Sequence, residues 1–193
     1  MARSIEFDRE QVLESAVETF WRDGYCQTNI PSLTKATRLQ PGSLYAAFES
    51  KEGLLLAALE HYSRSRLQQI EDCLGQAATP LAGIKTFLTQ VTNEVTQDHS
   101  RRGCFLVNTL LEMSARNETI QEHTTKYLSE VEEKIMMALR SARDEGELAA
   151  DKNPDVLAQF LMVNIWGLRV LSKTRPDKTK TKQVLEQLLA CLE

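Results

Sequence analysis

Positive charge is in short supply. Lys and Arg number 23 against 27 Asp and Glu, for a formal net charge of −4, which excludes a polycation that coats nucleic acid indiscriminately. Residues 1–51 are no exception, with six Lys/Arg and seven Asp/Glu. Any nucleic-acid surface there depends on where charges point, with Lys35, Arg38 and Lys51 toward the phosphates and Asp8, Glu10, Glu14 and Glu18 away. Glycine and proline are also sparse, 8 and 5 in 193 residues, so helix formers run with few breaks. Apolar residues make up 42% and charged residues 26%, an ordinary balance for a soluble globular protein. No apolar run approaches the roughly 18–20 residues of a membrane span, and MARSIEFDRE has no secretory core, so a cytoplasmic protein without a membrane partner is expected. The four cysteines (Cys26, Cys73, Cys104, Cys191) lack CxxC spacing and read as thiols rather than a disulfide framework.

Enzyme signatures are missing as well. His61, His99 and His123 are isolated, no HExxH occurs, and no phosphate-cradling Gly-rich loop follows a strand. No Glu-x-x-His spacing suggests a carboxylate-bridged metal bundle. Neither a metal nor a cofactor is expected, and Glu132-Glu133 and Asp144-Glu145 read as solvated charge on a long helix.

What remains is a succession of capped, apolar-patterned helices. Asp8 caps the first, with Gln11 at the reciprocal capping-box position and Phe7 and Val12 as a hydrophobic staple. Val12, Leu13, Ala16, Val17 and Phe20 recur at helical spacing, and Gly24 stops the helix. Asn29 caps a second helix with Pro31 in its first turn, and Pro41 opens a third. Ser50 caps a fourth, reaching about Leu74. Beyond a boundary at Gly75–Pro80, helices are predicted at 80–98, 103–115, 117–146, 154–174 and 178–192. The fold class is all-α, about nine helices, without internal repeats.

The most informative stretch runs from Gly24 to Leu54: GYCQTNIPSLTKATRLQPGSLYAAFESKEGL. Its first two helices are too short to stand alone. Paired around a tight turn, they predict a helix-turn-helix that presents one helix to the major groove of DNA. Leu33, Ala36, Leu39, Leu44 and Phe48 are spaced to close a small core against Phe20 and Ala16.

Phe20, Gly24-Tyr25, Thr28, Leu33, Ala36, Leu39, Gly42-Ser43-Leu44-Tyr45, Phe48 and Ser50-Lys51-Glu52-Gly53-Leu54 stand in register over about residues 6–66. On these residues the chain resembles the DNA-binding domain of TetR-type transcriptional regulators. The resemblance implies a helix-turn-helix domain over 6–66, with its recognition motif at about 29–48, and an effector-binding and dimerisation domain over 67–193. It makes Thr28, Ser32, Lys35, Arg38, Gln40, Gly42, Ser43, Tyr45, Ala46 and Lys51 the candidate DNA-facing residues. Gly42 allows close approach to a phosphate at a helix amino terminus. Ser43 and Tyr45 can donate to phosphate or a base edge. Two departures stand out. Arg38 occupies the turn where the family often has glycine, and a left-handed backbone there costs on the order of 1 kcal/mol. Ala46 and Ala47 replace larger residues, and alanine can touch a thymine methyl but cannot hydrogen-bond a base.

The carboxy-terminal helices carry two broad apolar surfaces. One comprises Val156, Leu157, Phe160, Leu161, Ile165, Leu168 and Leu171, the other Val184, Leu185, Leu188, Leu189 and Leu192. The resemblance implies a homodimer built on a four-helix interface, which would set two reading heads about one DNA turn, ~34 Å, apart. Gly167, in an otherwise helical run, predicts a close helix crossing. The middle helices would form a body for a small effector, with Phe87, Val91, Cys104, Asn108, Met113, Tyr127 and Trp166 as candidate contacts. Cys104 follows Arg101-Arg102-Gly103 and is expected in the first turn of a helix, where cations and the helix terminus favour thiolate; Lys173 is a distant cationic partner. The GC-F/L-x-x-N pattern of Gly103–Asn108 is similar to a subgroup of these regulators, some of which answer to electrophiles or oxidants. The expected function is a ligand-responsive repressor released from a palindromic double-stranded operator by an effector or by thiol modification. The alternative is a helical protein-binding adaptor, which a salt titration distinguishes by its lack of counterion release.

Overall fold

A computed structural model describes residues 7–174 and 176–193; the expected domain start at residue 6 lies outside them. Nine α-helices and a 3₁₀ turn make up the regular structure of the described residues: α1 (Arg9–Asp23), α2 (Ile30–Thr37), α3 (Pro41–Phe48), α4 (Lys51–Gln76), α5 (Pro80–Gln97), α6 (Phe105–Met113), α7 (Glu118–Asp144), α8 (Pro154–Leu171) with the turn Ser172–Thr174, and α9 (Lys178–Ala190). The fold is all-α.

Local chemistry sets the boundaries. Asp8 accepts from the amides of Glu10 and Gln11 at 3.0 and 3.2 Å, supplying orphan donors with an acceptor. Asn29 does the same for Ser32 at 2.9 Å, and the Ser50 hydroxyl accepts from Gly53 at 2.9 Å. Thr79, Asn117, Asn153 and Asp177 cap α5, α7, α8 and α9 in the same manner. Gly24 ends α1 at φ 78°. Arg38 ends α2 with φ 58° and ψ 18°, the left-handed conformation its position in the turn predicted.

The chain divides into two compact units. The first joins the chain up to Arg64 with Asn108–Tyr127, and the second comprises Ser65–Val107 and Leu128–Glu193. In the first, α1 packs on α2 and α2 on α3, burying Ala16, Phe20, Leu33, Leu44 and Phe48. The expected small core is present with one correction: Ala36 is exposed and Thr37 is buried. The inward row of α2 is Leu33 and Thr37, one turn apart, so Ala36 falls on the flank. Thr37 avoids an unsatisfied hydroxyl by donating to the Leu33 carbonyl at 2.7 Å.

In the second unit, α5 packs on α8 and α9 around Phe87, Val91, Leu139, Leu161, Ile165 and Leu188. The two predicted apolar surfaces split in two. Leu157, Leu161, Ile165, Leu168, Leu185, Leu188 and Leu192 point inward and are buried. Val156, Phe160, Leu171 and Val184 are exposed, together with Val163 and Val170. Within this chain the close helix crossing lies not at Gly167 but at Gly83. A Cβ on Gly83 would stand 2.9 Å from the Leu74 Cα, whereas nothing lies within 4 Å of one on Gly167. Pro154–Thr174 forms one continuous helical stretch long and apolar enough, by length and composition alone, to cross a membrane, which the expectation of no such run did not foresee. Its inward row, Leu157, Leu161, Ile165 and Leu168, packs into the core of the second unit.

Candidate nucleic-acid interface

α3 carries its apolar side chains on one side. Leu44 and Phe48, four residues apart, are buried, and the remaining positions are turned outward by the helical period. Gln40, Pro41, Gly42, Tyr45 and Ala46 are exposed and Ser43 is half-buried. Tyr45 is 45% accessible, which leaves its phenol available to an outside acceptor. Gly42 has open space where a Cβ would stand, as a close approach by an external backbone requires. On α2 and the turn, Lys35 and Arg38 are exposed and Ser32 is half-buried. Ser32 donates its hydroxyl to Asn29 Oδ1 at 2.8 Å.

Two residues expected on this face serve another purpose. Thr28 is 2% exposed, and its hydroxyl donates to the Gly24 carbonyl, so it shapes the corner between α1 and α2 rather than reaching outward. Lys51, expected at the groove rim, turns inward. Its Nζ donates to the carbonyls of Tyr25 and Thr28 at 2.9 and 3.0 Å and lies 4.1 Å from the Tyr25 ring centroid, a cation–π distance.

The same corner is gripped on its amide side by a residue sequence reasoning missed. Glu112, at the end of α6, accepts from the amides of Tyr25 and Cys26 at 2.9 and 2.8 Å. Burial pushes this carboxyl up, but those two amides outweigh it and, with Arg116 nearby, hold it below the ordinary glutamate value. Gly24 makes the approach possible, because a Cβ there would stand 3.0 Å from Glu112 Oε2. The corner's unpaired amides signal that an acceptor is required; nothing in the sequence says which of 27 acidic residues supplies it.

The residues expected around an effector divide between the units. Phe87 and Val91 are buried in the core of the second, with Trp166 packed against it, and the Trp166 indole nitrogen is buried without a hydrogen-bond partner. Cys104 is half-buried and immediately precedes α6, one step outside the helical turn in which it was expected. The Lys173 ammonium donates to the neighbouring Arg102 carbonyl at 3.3 Å. Asn108, Met113 and Tyr127 belong to the first unit, and the latter two are buried there.

A cavity of about 710 Å³ in the second unit is lined by none of these seven, but by polar groups that include Arg66, Gln69, Cys73, Gln90 and Glu94. Glu94 accepts from Arg169 at 2.6 Å, Arg66 at 3.1 Å and Gln69 at 2.6 Å. Burial pushes its carboxyl up, yet the cations, Arg169 foremost, hold it below the usual range. Burial pushes the Cys73 thiol up, with Asp72 and Glu94 adding to the effect.

A short outward helix held on a three-helix core by a tight left-handed turn defines a helix-turn-helix. Comparison with known proteins agrees. Residues 12–58 match the family model described as "Bacterial regulatory proteins, tetR family", and residues 80–188 match "Tetracyclin repressor-like, C-terminal domain". The chain belongs to the TetR family of DNA-binding transcriptional regulators. It is 26% identical over 180 residues to the HTH-type transcriptional repressor ComR of Escherichia coli K12, spanning 92% of this chain and 85% of ComR. It is 27% identical over 171 residues to the transcriptional regulator AcuR of Cereibacter sphaeroides, spanning 87% and 78%. Among solved structures, a cysteine mutant of the TetR family regulator CifR, complexed with 26-base-pair operator DNA, superposes over 100% of both chains with a TM-score of 0.88 and 31% identity. The reduced form of Escherichia coli NemR shares the fold, with a TM-score of 0.83 and 24% identity over 96% of this chain and 94% of that one. These matches do not favour the helical-adaptor reading.

Proposed function

We propose that this protein is a cytoplasmic, homodimeric repressor that reads a palindromic operator with two copies of α3 and leaves it when a small effector or a thiol modification acts on the carboxy-terminal body. The observation that carries the reading is the outward row of α3, Gly42, Ser43, Tyr45 and Ala46, standing opposite the buried Leu44 and Phe48. Ser32, Lys35, Arg38 and Gln40 extend that row as phosphate and base contacts, while Thr28 and Lys51 hold the corner behind it. The functional division is a reading domain over 6–66 and a sensing and dimerising domain over 67–193.

One reading head buries only about 600–1,000 Å² on DNA, so two are needed for tight binding. The exposed stripe of Val156, Phe160, Val163 and Val170 on α8, with Val184 on α9, is the apolar surface on which a second copy would sit. Gly167 lies in that stripe with open space above it, as a close crossing between copies would require. CifR complexed with operator DNA and ComR as a named repressor support the same function.

The sensing end rests on two features. The buried Trp166 indole N–H lacks an acceptor, which favours an effector with an apolar body and an acceptor oxygen. Cys104 stands at the start of α6, where modification would act on that helix directly. An effector that prefers the conformation with mis-spaced heads lowers operator affinity through its differential binding. Random-site selection on the purified chain tests the core of this reading. Enrichment of a palindrome with half-sites one turn apart is expected; no enrichment of any duplex would sink it. Replacing Cys104 with Ser should abolish release by a thiol alkylator, and an unchanged response would remove the thiol arm.

A further inference from the structure

The corner between α1 and α2 decides where α2 begins, and through the α2–α3 turn it decides where the recognition helix points. Beside the local bonds of Gly24 and Thr28, four of its backbone groups are held by two ionic side chains from distant parts of the sequence. Lys51 takes the carbonyls of Tyr25 and Thr28, and Glu112 takes the amides of Tyr25 and Cys26. Lys51 belongs to the reading domain itself. Glu112 does not: it is the penultimate residue of α6, which starts at Phe105 in the second compact unit and ends in the first.

Neighbouring residues reinforce the attachment. Arg116 Nη1 reaches the Cys26 sulfur at 3.6 Å, and the Asn117 side-chain amide donates to Glu52 Oε2 at 2.8 Å. The segment 112–117 therefore ties α6 and α7 to both the α1–α2 corner and the start of α4. These bonds involve charged groups, which makes them stronger than neutral hydrogen bonds, and those of Tyr25 to Glu112 and of Asn117 to Glu52 are partly buried. The nine residues of α6 span roughly 13 Å, with Glu112 near the end opposite Phe105.

We propose that Glu112 is a positioning residue for DNA reading: its carboxylate clasps the α1–α2 corner to the end of α6, so the state of α6 sets the orientation of the recognition helix. This rests on the DNA-binding function proposed above and adds the group through which the body addresses the head. Without the clasp the Tyr25 and Cys26 amides lose their acceptor, and binding DNA has to order what was previously fixed. Operator affinity then falls while the fold persists.

The test uses the full-length chain and the duplex that the wild type enriches. A wild type that enriches nothing overturns the function itself, and that result comes before any variant is made. With a duplex in hand, E112A is expected to bind roughly 5- to 30-fold more weakly at 25 °C, in the range typical of coupling between sites. E112Q keeps one carbonyl acceptor and should recover part of the loss. Hydrogen exchange of the Tyr25 and Cys26 amides in the free protein should accelerate in E112A and less in E112Q. A purely structural role would lower the melting temperature but leave the affinity of the folded protein unchanged. Wild-type affinity in folded E112A, or unchanged exchange at Tyr25 and Cys26, overturns the proposal. If E112A does not fold, the same two readouts on E112Q decide.

Discussion

Arg38, one of the residues proposed to face DNA, combines exposure with an unfavourable backbone. It sits at φ 58°, a conformation glycine adopts freely and other residues adopt at a cost of about 1 kcal/mol. Arg38→Gly should therefore raise the urea midpoint while weakening operator binding, because the exposed guanidinium is lost. A variant with wild-type affinity in an anisotropy titration would remove Arg38 from the interface. Glu94 makes a prediction of a different kind. Its carboxyl is held below the ordinary value, so its contribution to stability is present above the unfolded glutamate value of about 4.3 and is lost as pH falls through the folded value. Its side chain is 36% exposed, which limits that contribution to about 1 kcal/mol. Urea midpoints of wild type and Glu94→Gln should differ by a constant amount at neutral pH and converge as pH falls below the depressed folded value. A gap that persists in acid would mean that shape, not charge, is responsible.

Helices read well from sequence when caps and period agree, and less well where a face has two destinations. Asp8, Asn29 and Ser50 mark helix starts because a short side-chain acceptor next to orphan amides has little else to do. The apolar residues of α8 and α9 were equally legible as apolar. Their division into an inward row and an outward stripe depends on which neighbours cover them. Glycine makes the same point: Gly83 and Gly167 look alike in sequence, yet only Gly83 has a neighbouring helix against it. Gly83→Ala should destabilise the fold by about 1–3 kcal/mol through overpacking. Gly167→Leu meets nothing in its own chain and should leave the fold intact while breaking self-association. Sedimentation would show a folded monomer; a dimer of wild-type strength would move the interface away from α8.

For the molecule as a whole, the net charge of −4 means that DNA affinity comes from a few placed cations rather than a general field. Log affinity should fall linearly with log salt, with a slope near −0.9 for each phosphate neutralised. Lys35→Ala should reduce that slope by about 1 and weaken all duplexes alike, as a phosphate contact does. A slope that does not change would return Lys35 to the solvent. The contrast with Lys51 is instructive. Both are lysines of the reading region, but Lys51 spends its ammonium on the carbonyls of Tyr25 and Thr28, so its removal should loosen the corner.

By itself the sequence determined the helices, the caps at Asp8, Asn29 and Ser50 and the short paired helices of the recognition motif. These follow from short-range rules: the period of apolar residues, the reach of a capping oxygen and the allowed backbone angles. The tertiary structure decided what depends on residues far apart in the chain. It brought Glu112 to amides 86 and 87 positions away, turned Lys51 inward and collected two arginines on Glu94. It also joined Asn108–Tyr127 to the reading head. A backbone amide requires an acceptor by local chemistry alone, but which carboxylate reaches it depends on how the helices pack.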